Sequence, residues 1–285
     1  MIKICDCGGK SNFVQTVARV SAQAPASARY HHLRLHCPEI ARRAQPGQFV
    51  MLACGPESAG AGATLLPRPL ALLDAQGDEI SLLYFVAGAG TARLNGVAMV
   101  AGAELRIIGP LGRGFQPIPG VEAHLLLGGG SGVAPLVFFM RRFASGAQGQ
   151  APWHLVLAAR TAEHLAREEV VRVPGFLHRA TDDGSAGLKG TAVDALRQLL
   201  AGDLKGRKAG LYAAGPEPMM KAAAQVGREL HLPVRVSLES RMACGVGVCR
   251  ACVVDGSAPH PKTGLRRRTV CQDGPVFDID ELAGW

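Results

Sequence analysis

The sequence lacks any apolar run of the roughly 18 residues that a membrane-spanning helix requires. Its richest stretch, residues 125–140, is interrupted by four glycines and a proline. The N-terminus has neither the charged and then apolar layout nor the small-residue cleavage site of a signal peptide. The 36 glycines follow no Gly-X-Y period, which excludes a collagen-like chain. We therefore expect a globular cytoplasmic protein, in which thiols stay reduced and clustered cysteines indicate a metal site.

A concentrated basic region is missing as well. The net charge of +8 is spread along the chain, and its only tight basic cluster, residues 266–268, is typical of a solvated loop. We therefore expect no binding to nucleic acid. With 285 residues, 48% of them hydrophobic, the chain is predicted to fold into about two domains and a small third module.

Residues 1–118 are predicted to form an antiparallel β-barrel. Short segments with β-branched or aromatic residues alternate with turn signals, and many short strands at this spacing favour a small barrel. One helix is expected at 91–99, after a glycine turn. The predicted strands are 13–20, 30–36, 49–53, 79–86 and 104–108.

Residues 119–235 show a different pattern, in which apolar strands alternate with helices. Strands are predicted at 124–127, 153–159, 211–214 and 234–238, and helices at 135–143, 191–200 and 217–230. This alternation predicts an α/β domain with a parallel sheet and right-handed crossovers.

Residues 236–285 contain the strongest motif, C-x4-C-x2-C-x18-C, formed by Cys244, Cys249, Cys252 and Cys271. This is the plant-type spacing of a [2Fe–2S] ligand set, in which one tight loop supplies three thiolates and a distant segment the fourth. Structural zinc is the alternative, but zinc sites more often show two short cysteine pairs. Cys37 and Cys54 are interpreted as buried apolar residues. Cys5 and Cys7 are either a metal or redox pair or part of a frayed N-terminus.

Two glycine-containing junctions between a strand and a helix are candidate nucleotide sites. Backbone N–H groups and the positive end of a helix favour a pyrophosphate at such a junction, although a tight turn without ligand is the alternative. The strict G-x-G-x-x-G pattern fails because Val133 occupies its last position. The first junction contains Gly129, Gly130 and Gly132, and the second contains Gly215, Pro216 and Glu217.

Two short motifs in the barrel region are candidate phosphate or flavin sites. In the first, Arg68 stands beside the rigid Pro69, followed by Leu70 and Ala71. An arginine in that setting can hold a phosphate or the edge of a flavin. In the second, a glycine turn ending in Gly90 and Thr91 precedes the predicted helix and can take a diphosphate. Ordinary barrel loops are the alternative for both.

The order of these motifs resembles the ferredoxin-reductase-like flavoprotein family, and within it the electron-transfer subunits of type B dihydroorotate dehydrogenases. The resemblance covers nearly the whole chain. It is carried by Arg68-Pro69, Gly90-Thr91, residues 109–112, 128–135 and 181–185, Gly215-Pro216, residues 237–245 and residues 271–277.

This resemblance implies three cofactors. It implies an FAD-binding barrel at 1–118, an NAD-binding α/β domain at 119–235 and a [2Fe–2S] module at 236–285. FAD contacts are expected from Arg68, Pro69, Leu70, Ala71, Tyr84, Phe85, Val86, Gly90 and Thr91. Asp183 joins the glycine junctions as an expected NAD contact, and the four cysteines of the motif are the expected cluster ligands.

Two positions depart from the family's pattern. The family usually has Ser or Thr where this chain has Ala71, so a hydroxyl hydrogen bond to the flavin ring is missing. It also tends to have a basic residue where Phe85 stands. These departures bear on the flavin's reduction potential and its diphosphate contact.

The resemblance also implies an oxidoreductase subunit that relays electrons between NAD(H), FAD, the cluster and an FMN-containing catalytic partner, as a heterotetramer serving pyrimidine biosynthesis. A flavin fits between a two-electron and a one-electron carrier. No catalytic triad or H-E-x-x-H site is expected. The alternatives are an NAD(P)H-dependent input subunit of a hydrogenase, sulfite reductase or transhydrogenase, and a non-catalytic iron–sulfur scaffold. The choice between NAD and NADP stays open, because Arg160 after the second α/β strand could meet a 2′-phosphate.

Overall fold

The structure is a computed structural model that describes residues 13–55, 66–98, 100–145 and 151–285. Cys5 and Cys7 lie outside the described residues, as does Met99 at the end of the helix predicted over 91–99. Within the described part of the chain, no helix is long and apolar enough to cross a bilayer.

The first part of the chain forms an antiparallel barrel, as predicted. The barrel is closed and has six strands in the order β1-β2-β5-β4-β3-β6, one more than the sequence indicated. Apolar side chains on the inner faces, such as Leu33, Leu82 and Ile107, fill it and are fully buried. Cys37 and Cys54 belong to the same core, which confirms their interpretation as buried apolar residues. The elements are β1 (Val14–Pro25), β2 (Tyr30–His36), α1 (Pro38–Ala41), β3 (Phe49–Leu52), β4 (Arg68–Gln76), β5 (Glu79–Phe85), α2 (Ala89–Ala98) and β6 (Glu104–Leu111).

The second part is an α/β unit built on a seven-stranded sheet, and its predicted strands and helices are confirmed. The order β10-β9-β8-β7-β11-β12-β15, in which β15 (Val276–Asp278) comes from the C-terminal segment, places the first strand of this unit in the centre. The order in which strands are added reverses there, between the parallel neighbours β7 and β11. Ligands in open α/β sheets bind outside the carboxyl ends of the strands at such a point. The elements are β7 (Ala123–Gly129), α3 (Val133–Phe143), β8 (Trp153–Ala159), α4 (Glu168–Val171), β9 (Phe176–Thr181), β10 (Leu188–Lys189), α5 (Ala192–Ala201), β11 (Ala209–Ala214), α6 (Glu217–Glu229) and β12 (Val234–Ser237).

The C-terminal segment has little regular structure and is joined to both other parts. It contains the hairpin β13 (Val253–Asp255) and β14 (Arg267–Thr269), and then β15 (Val276–Asp278). β15 pairs antiparallel with β12, so the segment supplies the last strand of the α/β sheet. The Arg113 side chain of the barrel's exit loop donates to the carbonyl of Val276 at 2.8 Å and also pairs with Glu281.

The barrel and the α/β unit are joined by a largely buried ion pair. Arg141 in α3 contacts Asp74 in β4, with an Nη1–Oδ2 distance of 2.8 Å, and both side chains are about a quarter exposed. The same guanidinium donates to the backbone carbonyls of Val170 and Arg172. A charge pair whose remaining donors are also satisfied holds two surfaces in one orientation.

His124 at the start of β7 leads to a prediction of how stability depends on pH. Its buried ring stacks on Trp153 at 4.0 Å, and its Nδ1 lies 3.0 Å from the Tyr212 hydroxyl. Burial lowers the pKa of His124 from 6.5 to about 4. Between pH 6.5 and about 4 the unfolded chain therefore binds more protons than the folded protein. We expect the free energy of unfolding to drop by about 3 kcal/mol as the pH falls through this range.

Urea titrations between pH 7 and pH 4 measure this effect. His124→Gln should lose stability at neutral pH but show a shallower decline on acidification. The control is His231→Gln, which changes an exposed histidine. Equal slopes for His124→Gln and the parent protein would contradict the assignment.

Candidate functional site

A cleft of about 250 Å³, here called the junction cleft, lies where the barrel, the α/β sheet and the C-terminal segment meet. One wall comes from β4 and β5 of the barrel, and another from the glycine loop that follows β7. The segment after β12 closes it with Ser237 and Met242. The predicted residues that line it are Arg68, Pro69, Leu70, Ala71, Tyr84, Phe85, Thr91 and Gly132.

Arg68 and α2 form a cationic corner of the junction cleft. The Arg68 guanidinium lies against Gly90, where an added Cβ would come within 2.4 Å of Nη2 and would displace the guanidinium from its present position. The Thr91 hydroxyl accepts from the backbone N–H of Ala87 at 2.8 Å and thereby holds the turn before the helix. Because a guanidinium and a helix N-terminus converge here, this corner favours an anionic group such as a diphosphate.

The other predicted flavin contacts occupy three different settings. Tyr84 is 2% exposed, and its hydroxyl donates to Gln23 at 2.7 Å, so its phenol belongs to the barrel core. Phe85 lines the junction cleft, and the Arg29 guanidinium lies over its ring at 4.5 Å. Val86 is 44% exposed and does not line the cleft.

A second cleft, of about 570 Å³, follows the carboxyl ends of β7, β8 and β9 and is here called the strand-end cleft. Gly129, Gly130 and Pro216 of the two predicted junctions line it. Gly130 has a φ of +59°, and a Cβ there would lie 2.8 Å from the Tyr30 hydroxyl. The barrel therefore covers one side of this glycine loop, an arrangement that the sequence pattern did not reveal.

The two glycine junctions are in direct contact. A Cβ on Gly132 would lie 2.4 Å from the backbone N of Gly215, so both loops need glycine to approach this closely. Glu217 instead turns away, since it begins α6, pairs with Lys221 at 2.8 Å and lines neither of the two clefts. An acidic residue in the first turn stabilises the helix dipole.

The substitution Gly130→Ala tests the strand-end cleft. We expect the KM for NADH to rise about tenfold while FAD stays bound, because the new methyl group meets Tyr30 and displaces the loop. Steady-state NADH oxidation with a dye acceptor measures this. Gly77→Ala is a matched control, since Gly77 has the same φ of +59° but nothing within 4 Å of the added Cβ. A KM that rises equally in both variants would point to backbone strain alone.

The four cysteines of the motif meet as two pairs. Cys244 contacts Cys249, and Cys252 contacts Cys271. Among the described residues, no three His, Cys, Asp or Glu side chains are arranged to hold a single metal ion. Two thiol pairs suit a binuclear iron centre, in which each iron takes two thiolates, better than a single tetrahedral zinc.

Backbone amides point at these sulfur atoms. Cys244 Sγ accepts from the N–H of Val246 and of Cys249, both at 3.4 Å, and Cys252 Sγ accepts from the N–H of Cys271 at 3.4 Å. The N–H of Ala251 and neighbouring donors lower the pKa of Cys249 to about 7, whereas burial raises the pKa of Cys271 to about 12. Amide donors stabilise thiolate charge and raise the reduction potential of a cluster.

The cysteine loop lies directly beside the junction cleft. Met242 lines that cleft two positions before the first cysteine. Gly245, at a φ of +71°, presses against the barrel, where a Cβ would lie 2.4 Å from Met51 Cγ. The sulfur atoms and the junction cleft are therefore separated by few residues, an arrangement that suits electron transfer between them.

Comparison with known proteins agrees with this arrangement. Residues 239–283 match the family described as the iron–sulfur cluster binding domain of dihydroorotate dehydrogenase B, and residues 126–225 match the oxidoreductase NAD-binding domain. A dihydroorotate dehydrogenase B (NAD(+)) electron transfer subunit from Geobacillus thermodenitrificans is 36% identical over 268 residues, which cover 92% of this chain and 96% of the relative. The chain belongs to the family of dihydroorotate dehydrogenase B electron transfer subunits.

A second relative supports the same family, and solved structures share the fold. The electron transfer subunit from Shouchella clausii is 36% identical over 250 residues, covering 85% of this chain and 88% of that one. A solved NADH-dependent reduced ferredoxin–NADP oxidoreductase superposes with a TM-score of 0.74 at 27% identity, covering 96% of this chain and 90% of that chain. The ferredoxin reductase of carbazole 1,9a-dioxygenase, at 18% identity, covers 79% of this chain and 69% of its own, and its TM-score of 0.62 shows the shared fold.

Several residues that line the two clefts were not predicted. Arg29 and Tyr30 of the barrel line the strand-end cleft beside the glycine loop, and Asp182 lines it where Asp183 was expected. The sequence placed Arg29 and Tyr30 about a hundred residues from that loop, so only the tertiary fold brings them together. Asp182 had a local signal, since it directly follows β9 at the carboxyl edge of the sheet.

Proposed function

We propose that this chain relays electrons between NAD(H) and the catalytic subunit of a dihydroorotate dehydrogenase, with FAD in the junction cleft, the nucleotide in the strand-end cleft and a [2Fe–2S] centre on the four cysteines. Nicotinamide carries electrons in pairs, the iron–sulfur centre carries them singly, and FAD handles both. We propose the division of the chain at 1–118 for FAD, 119–235 for NAD and 236–285 for the cluster.

In this scheme, the protein's own residues bind the FAD and the nicotinamide nucleotide and orient them. Arg68 and the N-terminus of α2 would hold the FAD diphosphate, with the backbone around Ala71 and Phe85 beside the flavin. The paired glycine loops around Gly130 and Gly215 would hold the nucleotide diphosphate. No side chain is required as a nucleophile or general base, because orientation and exclusion of water are sufficient for hydride exchange.

One observation carries the proposal, namely the continuity between the junction cleft and the cysteine loop. A wall of the cleft is formed by Ser237, Leu238, Glu239, Ser240 and Met242, and Cys244 follows two positions after Met242. The glycine loop after β7 borders both clefts, through Gly132 in one and Gly130 in the other. Sites for a nucleotide, a flavin and a cluster therefore lie in series.

The partner that we propose is an FMN-containing dihydroorotate dehydrogenase subunit, bound as a heterotetramer in the cytoplasm. The names of the relatives call each of them an electron transfer subunit, which implies a second, catalytic subunit. The cysteine loop exposes Val248 to 81%. An exposed apolar side chain beside a redox centre suits a protein–protein contact.

Anaerobic reconstitution with the catalytic subunit tests this function. The complex should reduce NAD⁺ in the presence of dihydroorotate, and the catalytic subunit alone should not. Size-exclusion chromatography with light scattering gives the stoichiometry. Protein that carries iron and flavin yet does not transfer electrons to NAD⁺ with this partner would refute the proposed partner, and protein without iron or flavin would refute the relay.

A second candidate is the electron-input subunit of a different redox complex. It is favoured by the similarity to the NADH-dependent reduced ferredoxin–NADP oxidoreductase, which extends over 96% of this chain. In that case the complex purified from the native organism would reduce ferredoxin or NADP⁺ with NADH and would show no response to dihydroorotate.

A further inference from the structure

Two opposite charges stand side by side at the outer end of the strand-end cleft. Arg160 follows β8 and Asp182 follows β9, and both residues line the cleft. The parallel register pairs Ala159 with Thr181, so the charged residues occupy the next position on each strand. Hydrogen bonds connect the two loops, with Asp182 N donating to Ala159 O at 3.2 Å. Among the ion pairs of the described residues, none joins Arg160 to Asp182.

The neighbouring Asp183 is engaged elsewhere. Its carboxylate accepts from the backbone N–H of Ser185 at 2.9 Å and from the Ser185 hydroxyl at 2.6 Å. The hydrogen bond from the Ser185 hydroxyl lowers the pKa of Asp183 most, and the one from the Ser185 backbone N–H lowers it further. Asp183 does not line the strand-end cleft, whereas Asp182 does. The two adjacent carboxylates therefore differ in role, one holding a turn and the other facing a ligand space.

We propose that Asp182 makes the cleft select NAD(H) over NADP(H). This inference rests on the proposed function, because it assumes that the ribose end of the nucleotide reaches the ends of β8 and β9. A carboxylate accepts hydrogen bonds from the 2′- and 3′-hydroxyls of a ribose. The same carboxylate repels a 2′-phosphate, which carries close to two negative charges near neutral pH.

Arg160 also affects the choice between the two nucleotides, because its charge attracts a 2′-phosphate. A guanidinium at a strand end is the group that accommodates a 2′-phosphate in NADP-binding sheets. Here Asp182 stands one strand away from it and opposes that attraction. Neutralising Asp182 should therefore expose an affinity for the 2′-phosphate that Arg160 supplies, and removing Arg160 as well should abolish the gain.

The experiment compares ADP-ribose with 2′-phospho-ADP-ribose, binding to the FAD- and cluster-loaded protein by isothermal titration calorimetry. The parent protein should bind ADP-ribose at least about tenfold more tightly. Asp182→Asn should move the ratio of the two dissociation constants by about tenfold or more toward 2′-phospho-ADP-ribose, and the double variant Asp182→Asn/Arg160→Ala should reverse that shift. The kcat/KM values for NADH and NADPH with a dye acceptor should follow the same order.

Asp183→Asn is the matched control, because it makes the same chemical change one residue away and keeps an acceptor for Ser185. In this variant, the ratio of the dissociation constants for ADP-ribose and 2′-phospho-ADP-ribose should stay within about twofold of the parent value. An Asp182→Asn ratio that moves no more than the Asp183→Asn ratio overturns the inference but leaves the proposed function intact. If neither probe binds the parent protein, the proposed nucleotide site fails, and the inference fails with it.

Discussion

Replacing Cys249 by alanine is expected to eliminate the iron–sulfur absorbance and to stop electron transfer from the catalytic subunit to NAD⁺. The variant loses the thiol whose pKa the Ala251 amide and its neighbours lower, and its partner Cys244 has no second sulfur beside it. Iron bound per chain should fall to background, and dihydroorotate-dependent NAD⁺ reduction by the complex should decrease about 100-fold or more. Visible absorption and iron analysis of anaerobically purified protein give the first readout, and NADH formation the second.

The same variant should keep its FAD and its NADH-to-dye activity, because both clefts retain their lining residues. Val248→Ala is the control for iron content and spectrum, since it alters an exposed side chain of the same loop without removing a cysteine sulfur. Retention of the parent's iron content and spectrum in Cys249→Ala would show that this cysteine is not a ligand. Loss of flavin together with iron would show instead that the cluster loop supports the junction cleft.

Replacing Arg68 by alanine is expected to weaken FAD binding by roughly 10- to 100-fold, since hydrogen bonds from a charged donor contribute about 1.5–3 kcal/mol. The guanidinium is the charged group that lies against Gly90 at the start of α2, so its removal leaves the diphosphate with the helix N-terminus alone. Flavin remaining after dialysis, and the dissociation constant from fluorescence titration of the flavin-free protein, measure the effect.

Arg19→Ala is the matched control for that experiment. Arg19 lies on β1 and pairs with Glu104 on the barrel surface, where its side chain is 68% exposed. Exposed pairs of this kind contribute about 0–1 kcal/mol, so FAD binding should not change. Equal flavin retention in Arg68→Ala and Arg19→Ala would remove Arg68 from the binding site.

The elements that the sequence predicted best are those with a local pattern. The continuous apolar runs of β7 and β8 and the alternation in β2 suffice to identify strands. β4 was not predicted, because its Arg68-Pro69 start indicated a ligand-binding motif, and proline is tolerated only at such a strand beginning or edge. β9 was not predicted either, since charged and polar residues interrupt its outer half.

The residues of the candidate site were likewise predicted best where they form a local pattern in the sequence. The cysteine spacing is a local signal, and the structure brings the four sulfurs together in two pairs. The nucleotide residues depend on tertiary contacts. Tyr30 meets Gly130 only because the barrel packs on the α/β sheet, and the choice between Asp182 and Asp183 depends on which carboxylate Ser185 engages. Such contacts leave no pattern in a single sequence.

The pairing of β15 with β12 has a consequence for how this protein can evolve. The segment that carries the cysteines returns to the α/β sheet as its outermost strand, and its loop also rests on the barrel at Gly245. The spacing between the junction cleft and the cysteine loop is therefore set inside one chain. A single exposed side chain such as Val248 can change to fit a different partner while the cysteines on either side of it, and the proposed distance that electrons cross, are retained.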